Sequence, residues 1–286
     1  MNRSFAEMKS AIIILILIVL VAAAPKRTKL GYRNLYKEPV VPIVDKPNPR
    51  IIGGQEAVPH SIPYQAFIEI YTYEDGWYCG GSLLTPNYVV TAAHCGLDGE
   101  EAYVTLGAHN IINYEDTQIE DHTTDITIHA EYDGEKFIND IGVIRLSQPV
   151  TLTEAITTVK LPAADAGDFS KTTGRASGWG VTVGSSTDLS EVLMYVDLEV
   201  ITKEKCEEGF GDLLDGPLLD SIVCTSGQDN TGVCSGDSGG PLIVDGTLVG
   251  ITSFGVRDCP FGYPSAYTRV TSFLDWLAEN SDVTLQ

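Results

Sequence analysis

The chain has 286 residues, with 39 Asp or Glu against 18 Lys or Arg, a net charge of −21 and 43% hydrophobic residues. So acidic a chain argues against nucleic acid or an anionic membrane as a partner, and its length is ample for a sizeable core. The charge is uneven: residues 25–50 carry seven Lys or Arg against Glu38 and Asp45, whereas from Ile51 onward 36 Asp or Glu face 9 Lys or Arg.

Residues 1–24 read as a secretory signal, with Arg3 and Lys9 ahead of the apolar run 11–21 and small residues at Ala22, Ala23 and Ala24. Eleven apolar residues fall short of the roughly 20 that a membrane-spanning helix needs. The expectation is therefore a secreted, extracellular protein. Residues 25–50 hold Pro39, Pro42, Pro47 and Pro49, which oppose regular structure, and read as an activation propeptide. Cleavage between Arg50 and Ile51 creates a new ammonium on Ile51, with Gly53 and Gly54 behind it to let the chain turn. Its natural partner is Asp237, a carboxylate costly to bury without a cation.

The remaining body, 51–286, alternates apolar and polar residues in short runs. Strands are expected over 65–71, 88–92, 102–106, 126–129, 141–146, 192–201, 241–244, 248–252 and 266–270, with Asp-Gly turn signals between several of them. The pattern predicts closed antiparallel sheets. The Pro-containing stretch 150–162 marks a boundary between two β halves. One helix is expected at the end, capped by Thr271 or Ser272 and carrying Phe273, Leu274, Trp276 and Leu277 to about Asn280. Six cysteines behind an export signal predict disulfides, in any of fifteen connectivities, and not a metal site.

Three motifs acquire meaning together: Thr91-Ala92-Ala93-His94-Cys95, Asn139-Asp140-Ile141 and Gly236-Asp237-Ser238-Gly239-Gly240-Pro241. Each alone is an ordinary turn or loop-to-strand junction. A serine hydroxyl near neutral pH needs a base to take its proton, and the base needs an orienter. His94, Asp140 and Ser238 supply the three roles, in one of the chain orders known for such triads.

On these residues, and on Leu106-Gly107-Ala108-His109-Asn110-Ile111, Ile251-Thr252-Ser253-Phe254-Gly255 and Tyr263-Pro264-Ser265-Ala266-Tyr267-Thr268-Arg269-Val270, the chain from Ile51 onward resembles chymotrypsin-fold serine endopeptidases. It is most similar to the invertebrate digestive, brachyurin-like branch, which implies a gut lumen as the setting. The resemblance implies an all-β fold of two six-stranded antiparallel barrels with the active site between them and a short C-terminal helix. It implies disulfides Cys79–Cys95, Cys206–Cys224 and Cys234–Cys259, and an oxyanion hole from the N–H groups of Gly236 and Ser238. Gly232, Val233, Gly255 and Ser265 would line the primary pocket, and Ser253-Phe254-Gly255 would pair with substrate backbone.

No carboxylate occupies those pocket positions, so the resemblance implies cleavage after Phe, Tyr, Leu or Met. Ser265 stands where crab collagenases carry an acid, which counts against broad specificity; a collagenase, an elastase-like protease and a non-catalytic binding homologue are the alternatives. Ala108 stands where trypsins place a calcium ligand, so no metal and no cofactor are expected, and Glu115, Asp116 and Glu120 read as a solvated acidic face. His60, His109, His122 and His129 show no partner spacing. The implied partners are protein or peptide substrates, a trypsin-like activating protease and protein inhibitors, with the enzyme a monomer.

Overall fold

A computed structural model describes residues 53–181 and 188–285. The expected signal and propeptide, and the Arg50–Ile51 cut, lie outside the described residues. The elements in chain order are β1 (Gln55–Glu56), β2 (Gln65–Tyr71), β3 (Gly76–Thr85), β4 (Tyr88–Thr91), α1 (Ala93–Gly96), β5 (Glu101–Leu106), β6 (Ile119–Thr123), β7 (Ile126–Ile128) and β8 (Gly142–Arg145). They continue as β9 (Thr173–Gly178), β10 (Met194–Ile201), α2 (Lys203–Phe210), β11 (Ile222–Thr225), β12 (Pro241–Val244), β13 (Thr247–Phe254), β14 (Ser265–Arg269) and α3 (Leu274–Asn280).

Period-two alternation makes these strands. In β10, Met194, Val196, Leu198 and Val200 are buried while Asp197 and Glu199 face solvent. Asp245 and Gly246, both at positive φ (48° and 76°), form the two-residue link between β12 and β13, a conformation that matches the strand twist.

The second half meets the expectation of a barrel: β9, β10, β11, β14, β13 and β12 close through the β9–β10 ladder, with β1 added on β10. The first half is a curled seven-stranded sheet, β6-β5-β2-β3-β4-β8-β7, that ends at β6 and β7. Only Thr124 and Asp125 separate those two edges along the chain. No ladder joins β6 to β7 among the described residues, so this sheet stays open where the second one closes.

One large core joins the halves. It runs from Ile68, Leu83 and Val104 of the first sheet to Ile243, Leu248 and Ile251 of the second, and Leu274 and Leu277 of α3 pack into it. The terminal helix is where the sequence placed it, but its start differs. A 3₁₀ turn over Val270–Phe273 leads into it, and no side chain caps it. Among the described residues no helix is long and apolar enough to cross a membrane. The three expected disulfides are present; closing 16 to 25 residues, each restricts the unfolded chain by about 3 kcal/mol.

Candidate active site

His94 sits on α1, the short turn that follows β4. Its backbone N–H donates to Oδ1 of Asp140 at 2.9 Å, and its ring Nδ1 meets Oδ2 of the same carboxylate at 2.8 Å. A carboxylate facing Nδ1 fixes the proton there and leaves Nε2 as the basic nitrogen. Asp140 is fully buried. Its Oδ2 also accepts the Ser253 hydroxyl at 2.6 Å, and its carbonyl accepts the Thr268 hydroxyl at 2.7 Å. Three donors on one carboxylate offset the cost of taking it out of water.

The register between β13 and β14 shifts between Thr252 and Phe254. Ser253 is the extra residue of that bulge, a device that re-aims a side chain, and its hydroxyl goes to Asp140. Sequence reasoning assigned Ser253 to the substrate strand and did not foresee this contact.

Ser238 lies in the loop entering β12, flanked by Gly236 at φ 92° and Gly239 at φ 77°. Its carbonyl accepts the Gly80 N–H at 2.7 Å, while Gly239 donates to Thr252 at 2.8 Å. A Cβ on Gly239 would sit 2.1 Å from Oγ1 of Thr91. Only glycine lets the serine loop press that closely on β4, three residues before His94. Cys95, next to His94, is bridged to Cys79 of β3. The serine loop is thus packed on β3 and β4, next to the segment in which Asp140 holds His94. Among the described residues, neither Gly236 nor Ser238 spends its N–H on a backbone carbonyl.

Asp237 points away from Ser238 into a fully buried niche. Its Oδ1 accepts the Gly180 N–H at 2.8 Å and its Oδ2 the Cys234 N–H at 3.0 Å. A Cβ at Gly180 would lie 2.4 Å from the Asp237 carboxyl carbon, so the niche requires glycine. Burial outweighs those two donors and pushes the carboxyl up to about 6. Ile51, its expected partner, lies outside the described residues.

Gly232, Val233, Phe254, Gly255 and Ser265 line a single open cavity of about 470 Å³, counted to its mouth. Asn230, Thr231, Thr252, Phe261 and Tyr263 are among its other lining residues, and no Asp, Glu, Lys, Arg or His lines it. An added Cβ on Gly232 would face Oγ of Ser265 at 3.4 Å, across the cavity floor, and one on Gly255 would meet nothing within 4 Å. Asp258 is not among the lining residues.

Three features escaped the sequence reading. Phe137, in the loop before Asp140 and at φ 54°, sets its ring nearly perpendicular to that of His94 and stacks on Phe254 with centroids 5.2 Å apart. The signal available was an aromatic three residues before the acid, too common to single out. His109 was read as partnerless, yet its Nε2 lies 3.1 Å from Glu56. Glu115 was read as part of a solvated face, yet it accepts the backbone N–H of His109 at 2.6 Å, while Gln118 donates to the Asn110 carbonyl at 2.7 Å.

Comparison with known proteins agrees with this geometry. The family described as trypsin matches residues 51–277. A brachyurin from Leptuca pugilator is 45% identical over 236 residues, 82% of this chain and all of the relative. A chymotrypsin from Phaedon cochleariae is 41% identical over 253 residues, 87% of this chain and 89% of the relative. A solved structure of HL collagenase superimposes with a TM-score of 0.74 at 29% identity, covering 82% of this chain and the whole of that one.

Proposed function

The chain belongs to the trypsin family of chymotrypsin-fold serine endopeptidases, and we propose that it is a secreted zymogen which, once cut after Arg50, hydrolyses peptide bonds after large apolar residues. Clasping of the His94 main chain and ring by one buried carboxylate carries the reading. Such an arrangement serves an imidazole that must hold one tautomer and then stabilise a positive charge. The mechanism is that of the family, and its logic is general rather than peculiar to these distances.

His94 Nε2 removes the Ser238 proton as Oγ attacks the scissile carbonyl. The developing oxyanion is met by the N–H groups of Gly236 and Ser238. The imidazolium, held by Asp140, then gives its proton to the leaving amine, and an acyl ester on Ser238 remains. Water, deprotonated by His94, attacks that ester and frees the enzyme. Two oriented backbone donors in a water-poor crevice contribute about 3–4 kcal/mol each to lowering such a barrier.

Specificity follows from the cavity. With no charged lining residue, it has nothing to pair with the side chain of Arg or Lys, whose burial alone is costly. An open Gly255 admits Phe, Tyr, Leu or Met. Digestion of dietary protein, activation by a trypsin-like protease, control by protein inhibitors and action as a monomer complete the reading. The likeness to brachyurin and HL collagenase favours a second one, cleavage of collagen.

The deciding experiment cuts the purified full chain with trypsin and profiles cleavage on a peptide library and on native collagen. The expected result is hydrolysis after Phe, Tyr, Leu and Met, abolished by an organophosphate and by Ser238→Ala. Equal cleavage after Arg would overturn the pocket assignment, and no hydrolysis at all would leave a binding homologue.

A further inference from the structure

We propose that His109 and Glu56 form a latch that seats the segment behind the Arg50–Ile51 cut, making His109 a positioning residue for the Asp237 niche. The inference rests on the activation reading above and deepens it.

The His109 side chain is only 8% exposed, and its Nε2 lies 3.1 Å from Oε1 of Glu56, itself half-exposed on β1. The other ring nitrogen, Nδ1, is buried with no hydrogen-bond partner among the described residues. An apolar side chain would fill that place without leaving a polar atom unsatisfied. The imidazole therefore commits its polar contact to one acid, and that acid is in the strand leading back to the cut.

Both sides of the latch are fixed. The His109 main chain is pinned by the Glu115 carboxylate on its N–H at 2.6 Å. β1 is held on β10 by the pairs Gln55–Tyr195 and Glu56–Met194, and Ala57 donates to Leu193 at 2.9 Å. Ala57, Ala108, Trp179 and Leu193 share a buried cluster around the contact. Glu56 lies five residues after Ile51, a tether of at most roughly 18 Å, so where β1 is anchored limits where the new amine can reach.

The latch also touches the niche from its far side. The His109 carbonyl accepts the Trp179 indole N–H at 3.0 Å. The residue after Trp179 is Gly180, whose N–H donates to Asp237 at 2.8 Å. One residue thereby orients both the incoming segment and the wall that receives it.

The test uses the Arg50-cut enzyme and cyanate, which carbamylates free α-amines, with the Ile51 product quantified by mass spectrometry. Glu56→Gln, at a half-exposed site that leaves the core intact, and His109→Gln should each raise the rate of Ile51 carbamylation at least fivefold. Each should lower kcat more than it raises KM, and the double variant should be no worse than the single ones. Carbamylation at the wild-type rate in both variants overturns the latch, and so does a lowered Tm with that rate unchanged. If the wild-type amine itself reacts as fast as a free peptide while hydrolysis persists, the activation reading fails instead.

Discussion

Ser253 and His94 share one oxygen of Asp140, Oδ2, at 2.6 and 2.8 Å. The bulge in β13 makes this possible, and it gives the proposed substrate strand a part in supporting the proposed base. Asp140→Asn would present an amide N–H to the ring and force the wrong tautomer, with kcat falling on the order of 10⁴-fold, a scale taken from this type of triad. Ser253→Ala removes one of the donors to a buried charge, each contributing about 1.5–3 kcal/mol. Its kcat should fall by less than a hundredfold at nearly constant KM, measured with a short Phe amide. An equal loss in both variants would show that Ser253 does more than support Asp140.

The cavity floor can be recharged. Gly232 and Ser265 face each other closely enough that a Cβ at position 232 makes ordinary contact. Gly232→Asp and Ser265→Asp should each raise kcat/KM for Arg and Lys substrates while lowering it for Phe. Gly255→Val, whose Cβ meets no atom within 4 Å and so can be accommodated while its methyls narrow the cavity mouth, should cut Phe hydrolysis by about 10–200-fold and spare Ala. Peptide-library profiles of the three purified variants measure all of this.

The candidate catalytic residues were easier to read from the sequence than the strands that carry them. His94, Asp140 and Ser238 were legible because each sits in a motif whose residue types are required by the reaction. β3 was not, because Gly76, Gly80 and Gly81 interrupt its apolar pattern. β9 hid for the same reason behind Gly174 and Gly178. Contacts that depend on register were beyond reach: the Ser253 bulge, the Phe137–Phe254 stack, and a Glu56–His109 pair separated by 53 positions.

Asp237 gives the fold a pH signature. Its folded value of about 6 stands above the ordinary 3.8, so folding favours the protonated carboxyl. The sign follows: the ionised form destabilises the uncut chain above about pH 6, and that penalty vanishes as pH falls below about 4. The shift corresponds to about 3 kcal/mol. Urea unfolding of the uncut chain at pH 4 and pH 7 should show this increment in wild type and lack it in Asp237→Asn, relative to the background of the other acids. After the cut, the Asp237→Asn enzyme should remain nearly inactive, because an amide cannot hold the Ile51 ammonium.

Phe137 lies between His94 and Phe254, in ring contact with both. Its ring stacks on Phe254, which in turn lies 5.8 Å from Phe210 of α2, so three aromatic rings link the base to the second barrel. Such pairs contribute about 0.5–1.5 kcal/mol beyond their buried area. Phe137→Ala should lower the unfolding free energy by more than the stack alone, since it also strips apolar contact from Phe254. Because the ring stands between His94 and the proposed substrate strand, selectivity should change as well. Peptides with an apolar residue next to the cleaved one should lose kcat/KM relative to those with Gly there, and Phe137→Leu should recover part of that preference. A variant that loses stability but keeps the wild-type ratio of the two substrates would assign Phe137 to packing alone.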